Sequence, residues 1–159
     1  MCVSFFVGDK MSQIYMELAL KEARKAYKKD EVPVGAIIVK SGKVIAKAYN
    51  QKEKKQNPTK HAEIIAIEKA CKKLKTWHLD DCILYVTLEP CLMCAGAIIQ
   101  SRIKKVVYAA SSEKFGYIES IDNVFNNKKN NHLVEIEKGI CKKESQELLK
   151  KFFKQKRKQ

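Results

Sequence analysis

Three residues able to bind a soft divalent metal stand in two short stretches of this chain, with a carboxylate beside one of them. His61-Ala62-Glu63 and Pro90-Cys91-Leu92-Met93-Cys94 make the pattern H-x-E…P-C-x-x-C. Cys91 and Cys94 are three positions apart, so on a helix they share a face and can grip one ion. In the first turn of a helix, unpaired N–H groups and the helix dipole favour thiolate over thiol. Two thiolates and an imidazole make three ligands for Zn2+. A structural zinc site normally closes with a fourth protein ligand, whereas a catalytic one leaves that place to water. Water held there gives up a proton near neutral pH and becomes a nucleophile. Glu63 is then the expected carrier of that proton, taking it from the water and passing it to the substrate.

Other readings of the same residues leave something unexplained. A C-x-x-C alone is often a redox pair or half of a structural zinc knuckle. The redox reading leaves His61 and Glu63 idle. A closed structural site would have to recruit His78, Cys82 or His132, and it has no use for Glu63. Geometry adds a constraint, because residues two apart on a regular helix point to nearly opposite sides. His61 and Glu63 can serve one centre if the metal lies off the N-terminal end of their helix, near its axis.

The elements that must hold these groups follow from hydrophobic period and punctuation. Ser12 can cap a helix in which Met16, Ala19, Leu20, Ala23, Ala26 and Tyr27 recur at three-to-four spacing. Val34 to Val39 and Lys43 to Tyr49 flank Ser41-Gly42 and read as a β-hairpin. A polar loop from Asn50 to Lys60 leads into a helix from about His61 to Lys73. Cys82 to Thr87 reads as a strand, with a helix from Cys91 to about Gln100 behind Pro90. Val106 to Ala110 is another strand, residues 111–131 show no period, and Leu133 to Ile136 make a short strand. Leu148, Leu149, Phe152 and Phe153 mark a final helix. Helices alternating with strands after an opening hairpin imply an α/β sandwich in three layers, helices on both faces of a mixed sheet of about five strands. In such sheets a working site forms where strand ends meet helix N-termini.

Length and charge narrow the class. At 159 residues, with 45% hydrophobic and 31% charged, the chain suits one globular domain. No apolar run approaches the roughly 20 residues of a membrane span, and the apolar opening Met1 to Gly8 lacks a basic n-region. Residues 1–11 are expected to be a flexible N-terminal extension, and residues 12–159 a single domain with a basic C-terminal helix. A cytoplasmic setting follows, in which six cysteines remain thiols rather than a disulfide framework. The formal net charge of +14 attracts polyanions, nucleic acid first.

The joined pattern resembles that of zinc-dependent nucleobase deaminases, with Glu63 in the place of their general acid/base. From Val32 onward the chain resembles the bacterial tRNA-specific adenosine deaminases. The carrying stretches are Glu31-Val32-Pro33-Val34-Gly35-Ala36, Asn57 to Glu63, and Leu84 to Ala97 with its L-E-P-C-x-M-C-A-G-A run; Ser101-Arg102-Ile103 and Asn131 to Ile136 extend them. The resemblance implies the cytidine-deaminase fold, one zinc per subunit and a homodimer with active sites near the interface. It implies conversion of adenosine to inosine at the wobble position of a tRNA anticodon stem-loop. It also points to Asn50, Pro33 and Ala62 at the base. Residues expected against RNA are Ser112 and Lys114, and in the basic tail Phe153, Lys154 and Arg157. Family members commonly have an Asp where this chain has Ser112, which leaves discrimination between RNA and DNA open at that position. The competing expectation is a deaminase of a free base or nucleotide (guanine, cytosine or deoxycytidylate) using the same zinc apparatus. It would have no need of the +14 surface.

Overall fold

The computed structural model describes residues 7–159. Helix α1 (Val7–Lys28) is followed by strands β1 (Gly35–Lys40) and β2 (Lys43–Tyr49) and by one turn of helix, α2 (Lys52–Lys55). Then come α3 (Ala62–Leu74), β3 (Cys82–Leu88), α4 (Leu92–Gln100), β4 (Lys105–Ala110), β5 (Glu135–Lys138) and α5 (Lys142–Arg157). The five strands form one mixed sheet in the order β2-β1-β3-β4-β5. β1 is antiparallel to both β2 and β3, while β3, β4 and β5 run parallel.

Alternation along the strands makes the three layers. Ile37, Val39, Tyr85, Val107 and Ala109 point to one face and bury against Tyr15, Met16 and Ala19 of α1. Their neighbours Ala36, Ile38, Leu84, Val86, Val106 and Tyr108 point to the other face, against α3 and α4. Because side chains alternate with period two, a central strand covered on both faces must be apolar at successive positions. That accounts for the unbroken apolar runs in β1, β3 and β4. α5 lies on the α1 side, with Phe152 buried edge-on to Tyr27.

Several elements depart from the sequence reading. α1 starts at Val7, before Ser12, whose hydroxyl instead lies 3.4 Å from the Tyr85 hydroxyl. Of the expected extension, residues 1–6 lie outside the described residues, and residues 7–11 belong to α1. The loop from Asn50 to Lys60 contains α2. Its opening amides, Glu53 and Lys54 N–H, donate to the buried carboxylate of Glu31 at 2.7 and 3.2 Å. That carboxylate stabilises a helix start from a distant part of the chain. β5 sits two residues later than expected, paired in register with β4 from Glu135 to Lys138.

One end of the sheet collects the chemistry. β1 is antiparallel to its neighbours, so its beginning lies beside the ends of β2 and β3; Gly35 pairs with Tyr49, and Ala36 with Val86. Leu88 and Ala110 end β3 and β4 side by side. Val32 to Val34, Asn50, Glu89 to Cys91 and Ser111 onward therefore emerge at a common edge.

Candidate active site

His61 and Cys91 are each the residue just before a helix rather than inside it. Both have extended backbone, at φ −76°, ψ 155° for His61 and φ −75°, ψ 176° for Cys91. The helices α3 and α4 thus aim their N-terminal ends at one point, from which neither cap residue's own side chain takes a backbone N–H. His61 Nδ1 lies 3.6 Å from Cys91 Sγ and 3.5 Å from Cys94 Sγ, and the three ligand atoms fall within 4.8 Å of one another. The apparent conflict between His61 and Glu63 dissolves, since His61 precedes the helix and Glu63 stands in its first turn. The two approach the same point from different backbone geometries.

Electrostatics set the four groups apart. The Cys91 thiol is lowered to about 4, chiefly by a hydrogen bond from Cys94 and further by His61, against the pull of burial. Cys94 is pushed up by that same bond and by burial, so the proton of the pair stays on the deeper sulfur. His61 is raised, chiefly by its bond with Cys91, and burial opposes that shift. Glu63 is only 4% exposed, and burial pushes its carboxyl up despite its own backbone N–H and the His61 charge. A carboxyl displaced in that direction takes up a proton more readily than an exposed one, which suits a general acid/base.

One imidazole nitrogen and two sulfurs are the donor set that zinc favours, and three of them leave a fourth coordination place. Among the described residues no further His, Cys, Asp or Glu joins this group. The spare candidates lie elsewhere: His132 Nε2 bonds the Ile103 carbonyl at 2.7 Å, His78 stacks on Trp77, and Cys82 is buried where β3 begins. The residues present therefore fit one metal ion with an open position.

A cavity of about 990 Å3 opens over this centre. Its floor includes His61, Ala62, Glu63 and Cys91, with Asn50 on one side. Clefts for small ligands span about 300–1,000 Å3, so this one has room for more than a single base. The Asn50 amide bridges Val32 O and Lys52 N at 3.4 Å each, long contacts that keep it at the cavity edge. Pro33, expected at the base, is buried and does not reach the cavity; Val32 and Val34 do. The chain is extended there, so alternate residues face the same way and the middle one turns aside.

The expected RNA-facing residues divide in the same manner. Ser112, Lys114, Phe153 and Arg157 line the cavity, and Lys154 does not. On α5 the lining positions are Leu149, Phe153, Lys156 and Arg157, a stripe at helical spacing from which Lys154 is rotated away. Lys156 was not singled out among the site residues, yet it reaches both the cavity and Asp30, at 2.6 Å. Glu89 and Phe115, which the sequence did not assign to the site, also lie on the cavity wall. Phe115 is 69% exposed, an aromatic ring offered to solvent at a mouth lined with cations.

The arrangement matches known proteins along most of its length. The family model for MafB19-like deaminases matches residues 10–157. The tRNA-specific adenosine deaminase of Aquifex aeolicus (strain VF5) is 47% identical over 142 residues, 89% of this chain and 93% of that protein. That of Bacillus subtilis (strain 168) is 44% identical over 146 residues, 92% of this chain and 91% of the relative. A solved structure from studies of A-to-I editing by tRNA:A34 deaminases at the wobble position of transfer RNA superposes with a TM-score of 0.83. It is 43% identical and covers 86% of this chain and 99% of its own. A guanine deaminase from Bacillus subtilis is more distant, 36% identical at a TM-score of 0.61, covering 77% of this chain and 82% of that one.

Proposed function

This chain belongs to the MafB19-like deaminase family, among its tRNA-specific adenosine deaminases, and on that premise we propose how its residues carry out the reaction. It is a hydrolytic deaminase that converts adenosine to inosine at the wobble position of tRNA. The observation that carries the mechanism is the meeting of His61, Cys91 and Cys94 within 4.8 Å beneath a cavity floored by Glu63.

His61 Nδ1, Cys91 Sγ and Cys94 Sγ would hold one zinc ion per subunit. The chemistry such a metal supplies is a water acidic enough to be deprotonated near neutral pH. Glu63 receives a proton from the attacking water and delivers it to a ring nitrogen of adenine, so the ring accepts oxygen at C6 as that carbon becomes tetrahedral. The same carboxylate then takes the proton of the C6 hydroxyl and hands it to the departing amine as the C6–N bond breaks and the C6 carbonyl forms, so adenosine plus water gives inosine plus ammonia. Burial of Glu63 suits both transfers, because it brings the carboxyl nearer to neutrality than an exposed one. Asn50 at the cavity edge offers an amide for the base, and Ala62 gives it a flat, small wall.

Ser112, Lys114, Phe115, Phe153, Lys156 and Arg157 border the opening and supply a hydroxyl, cations and rings, the groups that hold an unstacked loop of RNA. The net charge of +14 supports the same substrate. A homodimer and a cytoplasmic setting complete the reading. Leu92, the residue after ligand Cys91, is 54% exposed, an apolar group that a second subunit would cover. No helix among the described residues is long and apolar enough to cross a membrane.

Substrate competition tests the proposal. Purified protein should release inosine from an anticodon stem-loop bearing a wobble adenosine, and leave free guanine, cytosine and deoxycytidylate unchanged. Turnover of a free base with none on the RNA would move the assignment to the guanine-deaminase side of the family.

A further inference from the structure

Glu89 is 2% exposed, and every donor its carboxylate meets comes from one segment. It accepts the backbone N–H of Ser112 at 3.1 Å, and those of Ile118, Glu119 and Ser120 at 3.3, 3.0 and 3.0 Å. The Ser120 hydroxyl donates to it as well. No Lys, Arg or His forms a salt bridge with it among the described residues. A buried carboxylate needs such compensation, and four amides with a hydroxyl provide it. Its accepting capacity is thus spent on residues 112–120, leaving none for substrate or metal.

That segment shows no helical or strand period, so little else dictates its path. Gly116 N–H to Ser112 O at 2.8 Å and Tyr117 N–H to Pro90 O at 3.1 Å close it into a compact turn. Gly116 lies so close to Glu89 that a Cβ there would overlap the carboxylate. The inner side of the turn is tied down by Glu89 and by buried Ile118, while Ser112, Lys114 and Phe115 line the cavity.

We propose that Glu89 is a positioning residue for RNA recognition: it fixes the 112–120 turn so that Ser112, Lys114 and Phe115 meet the nucleotides flanking the reactive adenosine. The inference rests on the tRNA deaminase reading above. It predicts that loss of the anchor weakens capture of RNA while sparing the metal centre and the chemical step.

The test is a mutant cycle on a stem-loop RNA. In Glu89→Gln the amide keeps the volume but points its own N–H groups at N–H donors. Gly116→Ala pushes the carboxylate away from the other side. Each single variant should keep its zinc and raise KM about tenfold, a loss on the scale of one charge-assisted hydrogen bond. The kcat of each should stay within about twofold of wild type, because the interaction lost is not one made only in the transition state. The double variant should be no worse than the poorer single, and amide exchange at Ser112 and residues 118–120 should quicken in all three. Unchanged KM in both singles, fully multiplied effects in the double, or a fall in kcat with loss of zinc would each overturn the proposal. If wild type makes no inosine, the deaminase reading fails by itself. Binding of the same RNA then decides this inference: weakened Kd in the variants upholds it, and unchanged Kd removes it.

Discussion

At the scale of single residues, the proposed chemistry rests on four side chains whose types and spacing announce them. His61, Glu63, Cys91 and Cys94 were legible because a metal centre demands particular atoms at short sequence intervals, whatever the surrounding fold. Cys91→Ala should lose zinc and activity together. Metal analysis of the purified variant checks this, and zinc retained at wild-type stoichiometry would remove Cys91 from the ligand set. Glu89 and Glu31 were not legible as functional groups, since each accepts main-chain amides from a distant segment. Amide donors carry no side-chain signature, so no residue pattern marks their acceptor. Pro33 and Lys154 fall outside the cavity lining for a related reason, because which way a residue turns depends on local extension or helical phase. Phe115→Ala removes an exposed ring at the cavity mouth, and the expected result is weaker RNA binding by about 1–3 kcal/mol if a base stacks there. Wild-type affinity in that variant would exclude stacking.

At the scale of elements, the hairpin, the paired helices α3 and α4 and the parallel strands were all readable from period. What escaped was irregular: the single turn of α2, the 111–131 segment, the start of α1 and the exact register of β5. The turn of α2, the 111–131 segment and β5 are settled by tertiary partners rather than by local pattern. α5 shows how such docking works. Ser145 Oγ donates to the Thr87 carbonyl at 2.5 Å from a buried position, and Phe152 fills the gap beside Tyr27. Ser145→Ala should lower stability by about 1 kcal/mol, because it removes one buried hydrogen bond and leaves room for no water. Asp30→Ala breaks the exposed Lys156 pair and should cost less than about 1 kcal/mol. Denaturant melts compare the two, and a larger loss in Asp30→Ala would contradict the ordering. Gly35 faces α1 so closely that a Cβ would run into the Ala19 carbonyl. Gly35→Ala should therefore destabilise by about 3 kcal/mol, at the upper end of what overpacking costs.

At the scale of the whole molecule, the sheet edge and the net charge of +14 work toward one substrate. Strand ends bring Asn50, Glu89, Cys91 and Ser112 together, and α5 adds a cationic stripe above them. Affinity for RNA should fall steeply with salt, by a slope of about 0.7 in log K per log salt for each phosphate contact on a single strand. Arg157→Ala should flatten that slope by about one contact, whereas Lys154→Ala, on the face turned from the cavity, should leave it unchanged. An equal flattening by both would mean that the tail binds diffusely rather than through the cavity rim.

The most direct test of the central claim compares wild type with Glu63→Gln on a stem-loop RNA carrying adenosine at the wobble position, with zinc measured in both. Wild type should form inosine and carry one zinc per subunit. Glu63→Gln should keep the zinc and lose at least about a hundredfold in kcat, the lower range for removing a general acid/base. Inosine formed at the wild-type rate by Glu63→Gln would contradict the account, since the proton would then have another carrier.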